Sequence, residues 1–223
     1  MHLRIKICGV TRPEDAELAA RFGADAIGLN FFSQSPRYLT EEKAVEVVHA
    51  IPPLVAPVGV FVDPTADQLN FWGTRLALRT FQLHSFDPTV LGPTFGAMCW
   101  SSILAQAVNE PDDLEKIRTL VREWRTSTRE VPDPAVLVDA RVAGKHGGTG
   151  QTVPWELLAG FDAGVPLILA GGLTAENVAD AVRQVRPYAV DVAGGVESAP
   201  GIKDAEKLVR FIDTTRSAAA GLP

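Results

Sequence analysis

A cysteine stands where the first apolar stretch of the chain ends. In R-I-K-I-C-G-V-T-R-P-E-D-A, residues 4–16, apolar alternation runs up to Cys8, a glycine follows, and a helix opens. A thiol at that join could be filler, a metal ligand, half of a disulfide or a group that moves protons. Judged by residue type alone it is filler, since buried free cysteine usually behaves as a small apolar side chain. A zinc site would need several Cys or His ligands at short spacing, and the sequence has none. Pairing with Cys99, the only other cysteine, is disfavoured in a reducing compartment. Position raises the chemical reading. Lys6 lies two residues earlier and so shares a strand face with Cys8; its ammonium would favour the thiolate, a competent base or nucleophile at neutral pH.

Other residues could complete such a site. Asp139 ends the apolar run A-V-L-V-D, where desolvation could raise its pKa and let it serve as an acid; its plainer role is a loop or helix cap. Asp63 and His84 end two further runs. Gln82 and His84 share one face and read as interior members of a hydrogen-bond network, with His84 in a supporting role. Arg37, in S-Q-S-P-R-Y-L-T, could fork a carboxylate, although by itself it reads as a surface arginine supporting the next helix. Ala-Gly-Gly occurs twice, at 170–172 and 193–195. Gly171, Gly172, Gly194 and Gly195 would let the backbone approach an anion, and as a pair they are read as a phosphate site. G-K-H-G-G-T-G-Q-T (144–152) lacks the order of a P-loop and is read as a mobile substrate loop.

Something must hold these residues together. Eight apolar runs recur, near residues 3, 26, 55, 76, 101, 135, 166 and 189, with helical patterns between most of them. P-E-D-A-E-L-A-A-R-F-G has an early proline, acidic first-turn residues and a closing glycine. Thr40 opens T-E-E-K-A-V-E-V-V-H-A-I, and two more segments have acidic starts and helical period. The fourth helix, around D-P-T-V-L-G-P, is expected to be short. Strict alternation of eight strands with helices in 223 residues predicts an α/β fold, a single-domain (β/α)₈ TIM barrel spanning 1–223, with 214–223 a frayed tail. An open doubly wound sheet would more often carry G-x-G-x-x-G after its first strand, and C-G-V-T-R-P does not. In a barrel, strand C-terminal ends bear the active site and the loops after strands seven and eight bind phosphate, so Cys8, Asp63, His84, Asp139 and the glycines would rim one mouth.

Bulk properties narrow the partners. Net charge is −6, with 46% hydrophobic and 22% charged residues. That disfavours a general nucleic-acid surface. No apolar run is long enough to span a bilayer, the N-terminus lacks a signal-peptide core, and the cytoplasm is the default setting. A phosphorylated small molecule is the expected partner, met by a monomer or weak homodimer.

K-I-C-G-V-T-R-P-E-D-A, G-L-N-F-F-S-Q-S-P-R-Y-L, V-G-V-F-V-D-P-T, F-Q-L-H, V-L-V-D-A, G-G-T-G-Q-T, I-L-A-G-G-L-T-A-E-N-V and V-D-V-A-G-G-V-E occur in that order. The chain thereby resembles the phosphoribosylanthranilate isomerase family of the tryptophan pathway, over nearly its whole length and least from about 85 to 134. The resemblance implies an Amadori rearrangement of N-(5-phosphoribosyl)anthranilate without cofactor or metal. Cys8 would be general base, Asp139 general acid, Arg37 the carboxylate receptor and the Ala-Gly-Gly loops the phosphate site. Three departures stand out. Ala193-Gly194 replaces Ser-Ser, which removes two hydroxyl donors. Ser85 follows Q-L-H in a tight turn where glycine is commoner. The fifth strand lacks a basic residue. Rival readings are another metal-free phosphosugar isomerase, or a barrel that binds a phosphorylated ligand without turning it over. The histidine-pathway isomerase uses an aspartate base, against Cys8, and metal-dependent epimerases need more ligands than His84.

Overall fold

The structure, a computed structural model, describes residues 3–128, 132–139 and 155–222. Eight parallel strands close into a barrel: β1 (Arg4–Cys8), β2 (Ala26–Asn30), β3 (Ala56–Val62), β4 (Thr80–His84), β5 (Ser101–Ala107), β6 (Ala135–Asp139), β7 (Leu167–Leu169) and β8 (Ala189–Val192). Each pairs with the next, and β1 pairs with β8 from Arg4↔Ala189 to Ile7↔Val192 to shut the ring. Most side chains in these strands are buried on both faces, as a sheet enclosed by helices requires.

The outward face packs a continuous apolar shell beneath the helices, with Ile5, Ile7, Leu29, Phe81 and Val190 at its centre. The inward face is divided. Val58, Ile103, Leu137, Ile168 and Ala189 form a small apolar cluster inside the ring. Lys6, Gln82, His84 and Asp191 are buried nearer the strand C-terminal ends. The interior therefore turns from apolar to polar toward the mouth.

The surrounding helices are α1 (Pro13–Phe22), α2 (Glu41–His49), α3 (Ala66–Arg75), α4 (Pro88–Met98), α5 (Asp112–Thr128), α6 (Trp155–Leu158), α7 (Val178–Val185) and α8 (Ala205–Ala220). Their ends follow local chemistry. Gly23, at φ 104, stops α1, and the Thr40 side chain accepts from the Lys43 N–H at the start of α2. Thr65 and Gln68 form a capping box on α3.

Two expectations are corrected. α4 is not short: it runs through Pro93 because Asp87 caps it and because Leu91, Gly92 and Phe95 are buried. The segment 214–223 does not fray from its start: α8 reaches Ala220, with Thr215, Ala218 and Ala219 buried. An element absent from the sequence reading follows β8. It is a 3₁₀ turn (Gly194–Val196) leading into an antiparallel pair, β9 (Glu197–Ala199) and β10 (Ile202–Lys203). The 144–152 loop lies outside the described residues.

Candidate active site

β1 delivers two functional side chains into the barrel, Lys6 and Cys8. Both are buried, and both fit because β2 carries Gly28 beside them. A Cβ at Gly28 would stand 2.8 Å from Cys8 Sγ and 3.1 Å from Lys6 Nζ. Lys6 Nζ donates to Asp191 Oδ1 on β8 (2.7 Å) and to Gln82 Oε1 on β4 (2.9 Å). The Gln82 amide nitrogen lies 2.8 Å from His84 Nε2. With Oε1 committed to Lys6, the amide donates and His84 Nε2 accepts. The hydrogen-bond network read from Gln82 and His84 is present, and it extends to a buried ion pair.

The charge environment of Cys8 differs from expectation. Burial pushes its thiol above the ordinary range, and the Asp191 carboxylate pushes the same way. Lys6 and Lys203 oppose them without prevailing. Lys6 itself is disfavoured as a cation by burial, yet Asp191 and Cys8 outweigh that and raise its pKa. Lys6 does favour the thiolate, but it is answerable first to Asp191, and desolvation is the larger effect.

Cys8 opens into a mouth pocket of ≈ 790 Å³, counting space open to solvent. Asp139, half-buried at the end of β6, lines the same pocket, as do Arg37, Asp191 and His84. The general base and general acid suggested by the sequence thus share one cavity, approached from different sides of the ring. Asp63 is exposed past the end of β3, at φ 47, with its N–H donating to the His84 carbonyl (2.8 Å), and it is not part of the lining. Ser85 also sits in the left-handed region, at φ 49, as its tight turn demands.

Arg37 enters from the loop after β2. That loop is pinned by the Arg37 N–H to Ser35 Oγ (3.1 Å) and by the Leu39 N–H to the Asn30 carbonyl (2.9 Å). Its guanidinium is not a solvated surface group. Nε and Nη2 donate to the two carboxylate oxygens of Glu197 at 2.8 and 2.6 Å. The hydrogen bonds it donates to Glu197 raise the Arg37 pKa against the cost of burial. Burial disfavours the Glu197 carboxylate, but Arg37 and Lys203 hold its pKa below the usual range.

The glycine loops lie at the ends of neighbouring strands β7 and β8. Gly171 and Gly172 have φ of 88° and 63°, so their backbone is one that side chains rarely adopt. Gly195 sits against the Leu173 carbonyl with no room for a Cβ, so the two loops touch. Gly194 leaves space beside Arg37 Nη2, 3.5 Å from where a Cβ would be. Ala193 lines the pocket; Gly171, Gly172, Gly194 and Gly195 are not part of that lining.

Three residues escaped the sequence reading: Asp191, Glu197 and Lys203. Asp191 had a faint signal, a charge in the middle of the apolar run A-V-D-V. Glu197 and Lys203 had none, because the groups that tie their pair to the site, Arg37 and the Cys8 carbonyl, come from distant parts of the chain. Among the described residues, no group of three or more His, Cys, Asp or Glu is placed to hold a metal ion.

Residues 5–214 match the family model described as N-(5'phosphoribosyl)anthranilate (PRA) isomerase. The N-(5'-phosphoribosyl)anthranilate isomerase of Geobacter sulfurreducens is 43% identical over 211 residues, covering 94% of this chain and 97% of that one. The enzyme of the same name from Pseudomonas paraeruginosa is 44% identical over 221 residues, 96% of each. Among solved structures, phosphoribosyl anthranilate isomerase from Thermotoga maritima superposes with a TM-score of 0.85 at 34% identity, covering 97% of this chain and all of that one. A phosphoribosyl anthranilate isomerase solved with reduced 1-(o-carboxyphenylamino)-1-deoxyribulose 5-phosphate gives 0.82 at 32%, again with 97% and 100% covered.

Proposed function

The chain belongs to the N-(5'-phosphoribosyl)anthranilate isomerase family, and from that premise we propose how its barrel mouth performs the reaction. The protein is an isomerase of tryptophan biosynthesis. It converts N-(5-phosphoribosyl)anthranilate to 1-(2-carboxyphenylamino)-1-deoxyribulose 5-phosphate by Amadori rearrangement.

In our reading Asp139, protonated, gives its proton to the ribose ring oxygen as the C1–O bond breaks. The anthranilate nitrogen supplies the electrons, leaving an iminium. That cation makes the C2 hydrogen acidic. Cys8, as thiolate, removes it to give an enolamine, which tautomerises to the ketone. The steps balance without a cofactor. Arg37 receives the anthranilate carboxylate, and the backbone around Gly171, Gly172, Gly194 and Gly195 receives the phosphate. With alanine and glycine at 193 and 194, the β8 side of that cradle relies on backbone N–H groups. A phosphorylated small molecule is thus the partner. We further read the protein as a single-domain cytoplasmic enzyme, active as a monomer or weak homodimer.

One observation carries the assignment of roles: Cys8 and Asp139 line the same pocket with Arg37 at its edge. Mutation tests it. Cys8→Ala and Asp139→Asn should each lower kcat by ~10²–10⁴, the scale of one positioned proton transfer. Both should still bind the reduced product analogue. The assay is loss of fluorescence of freshly made phosphoribosylanthranilate without added metal. Near-wild-type turnover in either variant removes that residue from its role.

A further inference from the structure

We propose that Glu197 is a positioning residue that sets selectivity for a carboxylated substrate by fixing which edge of Arg37 faces the pocket. The proposal deepens the functional reading above and rests on it.

A guanidinium has five N–H donors arranged as two bidentate edges. The side edge joins Nε to Nη2; the end edge joins Nη2 to Nη1. Glu197 takes the whole side edge, one oxygen on Nε and the other on Nη2. The end edge retains two parallel N–H groups, the arrangement that matches a second carboxylate. Arg37 lines the pocket and Glu197 does not, so Glu197 lies behind the guanidinium. The stem is fixed as well: Arg37 Cδ packs where a side chain on Gly9 (φ +67) would have to be.

Charge bookkeeping explains why pairing does not cancel the receptor. Arg37 and Glu197 alone would sum to zero. Lys203 Nζ also donates to Glu197 Oε1 (2.8 Å), and to the carbonyls of Cys8 (2.6 Å) and Ala193 (3.3 Å). Burial pushes the Lys203 pKa down and Glu197 opposes it, but three acceptors round one nitrogen call for three N–H groups, hence the ammonium. Its side chain has 0% exposure, so water screens it little. The trio therefore carries one net positive charge, and only Arg37 presents it to the cavity. The same ammonium ties that receptor to the backbone of Cys8 and to the start of the β8 glycine loop.

Glu197→Gln tests the idea. Its amide would set an NH₂ against one Arg37 N–H, and the guanidinium would have to turn. The KM for phosphoribosylanthranilate should rise about tenfold or more, the scale of one charge-assisted hydrogen bond, with a smaller fall in kcat. The preference in kcat/KM for phosphoribosylanthranilate over phosphoribosylaniline, which lacks the carboxylate, should collapse. In an Arg37→Ala background the same change should add nothing to KM. Glu197→Asp, which keeps the charge, should fall between, and carries the comparison if Gln is not tolerated. An undiminished preference, or an equal KM increase without Arg37, overturns the proposal. Wild-type turnover measured on the same preparation separates the two readings: an active parent with an unaltered Glu197→Gln variant overturns the role of Glu197 alone, whereas an inactive parent overturns both.

Discussion

Cys8, the base we propose, sits in an environment that resists its ionisation. Burial and Asp191 raise its pKa, while Lys6 and Lys203 pull the other way. A raised thiol pKa means a small thiolate fraction at neutrality that grows as pH increases. The rate at which Cys8 is alkylated by a small haloacetamide, followed at that residue by mass spectrometry, should therefore still be climbing at about pH 8.5, the ordinary value for a free cysteine. Asp191→Asn removes one of the two influences that raise the pKa and frees Lys6 to serve the sulfur, so the climbing limb should move to lower pH. A pH–rate profile checks this, and a limb that stays in place or moves up contradicts it. Arg37 reads by itself as a surface arginine and takes a carboxylate role only from the family resemblance; Cys8 and Asp139 were legible as candidates because each is an unusual residue at a strand end. The network around them was not. Arg37 reaches Glu197 across 160 residues and Lys6 reaches Asp191 across 185, separations that no local pattern encodes.

The elements show the converse. All eight strands were legible because a buried parallel strand writes itself as a short apolar run, whatever its neighbours do. α4 was misjudged because its composition, with Gly92, Pro93 and Gly96, contradicts helix propensity. Packing supplies what propensity lacks. Gly92 lies against Ser127 of α5, where a Cβ would come 2.5 Å from Ser127 Cβ and 2.9 Å from its backbone carbon. Gly92→Ala should therefore destabilise the protein, by about 1–3 kcal/mol of overpacking, although alanine is the better helix former by roughly 1 kcal/mol. Urea denaturation would read the sign directly. A stabilised variant would show that the two helices can separate at little cost. The β9–β10 pair was illegible for a different reason: its strands are two and three residues long, too short to set up any periodicity.

At the scale of the whole molecule, the C-terminal helix is a structural member, not an appendage. Thr215, Ala218 and Ala219 are buried, Leu222 packs on the core, and Arg216 Nη2 donates to the Gly23 carbonyl (2.6 Å) at the end of α1. Ending the chain at Thr214 should cost about 3 kcal/mol, at ~0.8 kcal/mol per buried methyl-sized group, and lower Tm measurably. An unchanged melting curve would show that the tail is dispensable. The alternation of strand and helix made the barrel legible over its full length, but the small alanine-rich tail carried too little apolar bulk to announce its burial. The tie from Lys203 to the Cys8 carbonyl spans 195 residues, and β1 has no closing partner until β8 exists. β1 thus stays unclosed until β8 and Lys203 have been translated. A nascent barrel is therefore expected to gain activity only once the β9–β10 hairpin has emerged, and a stop codon ahead of it to yield an inactive product.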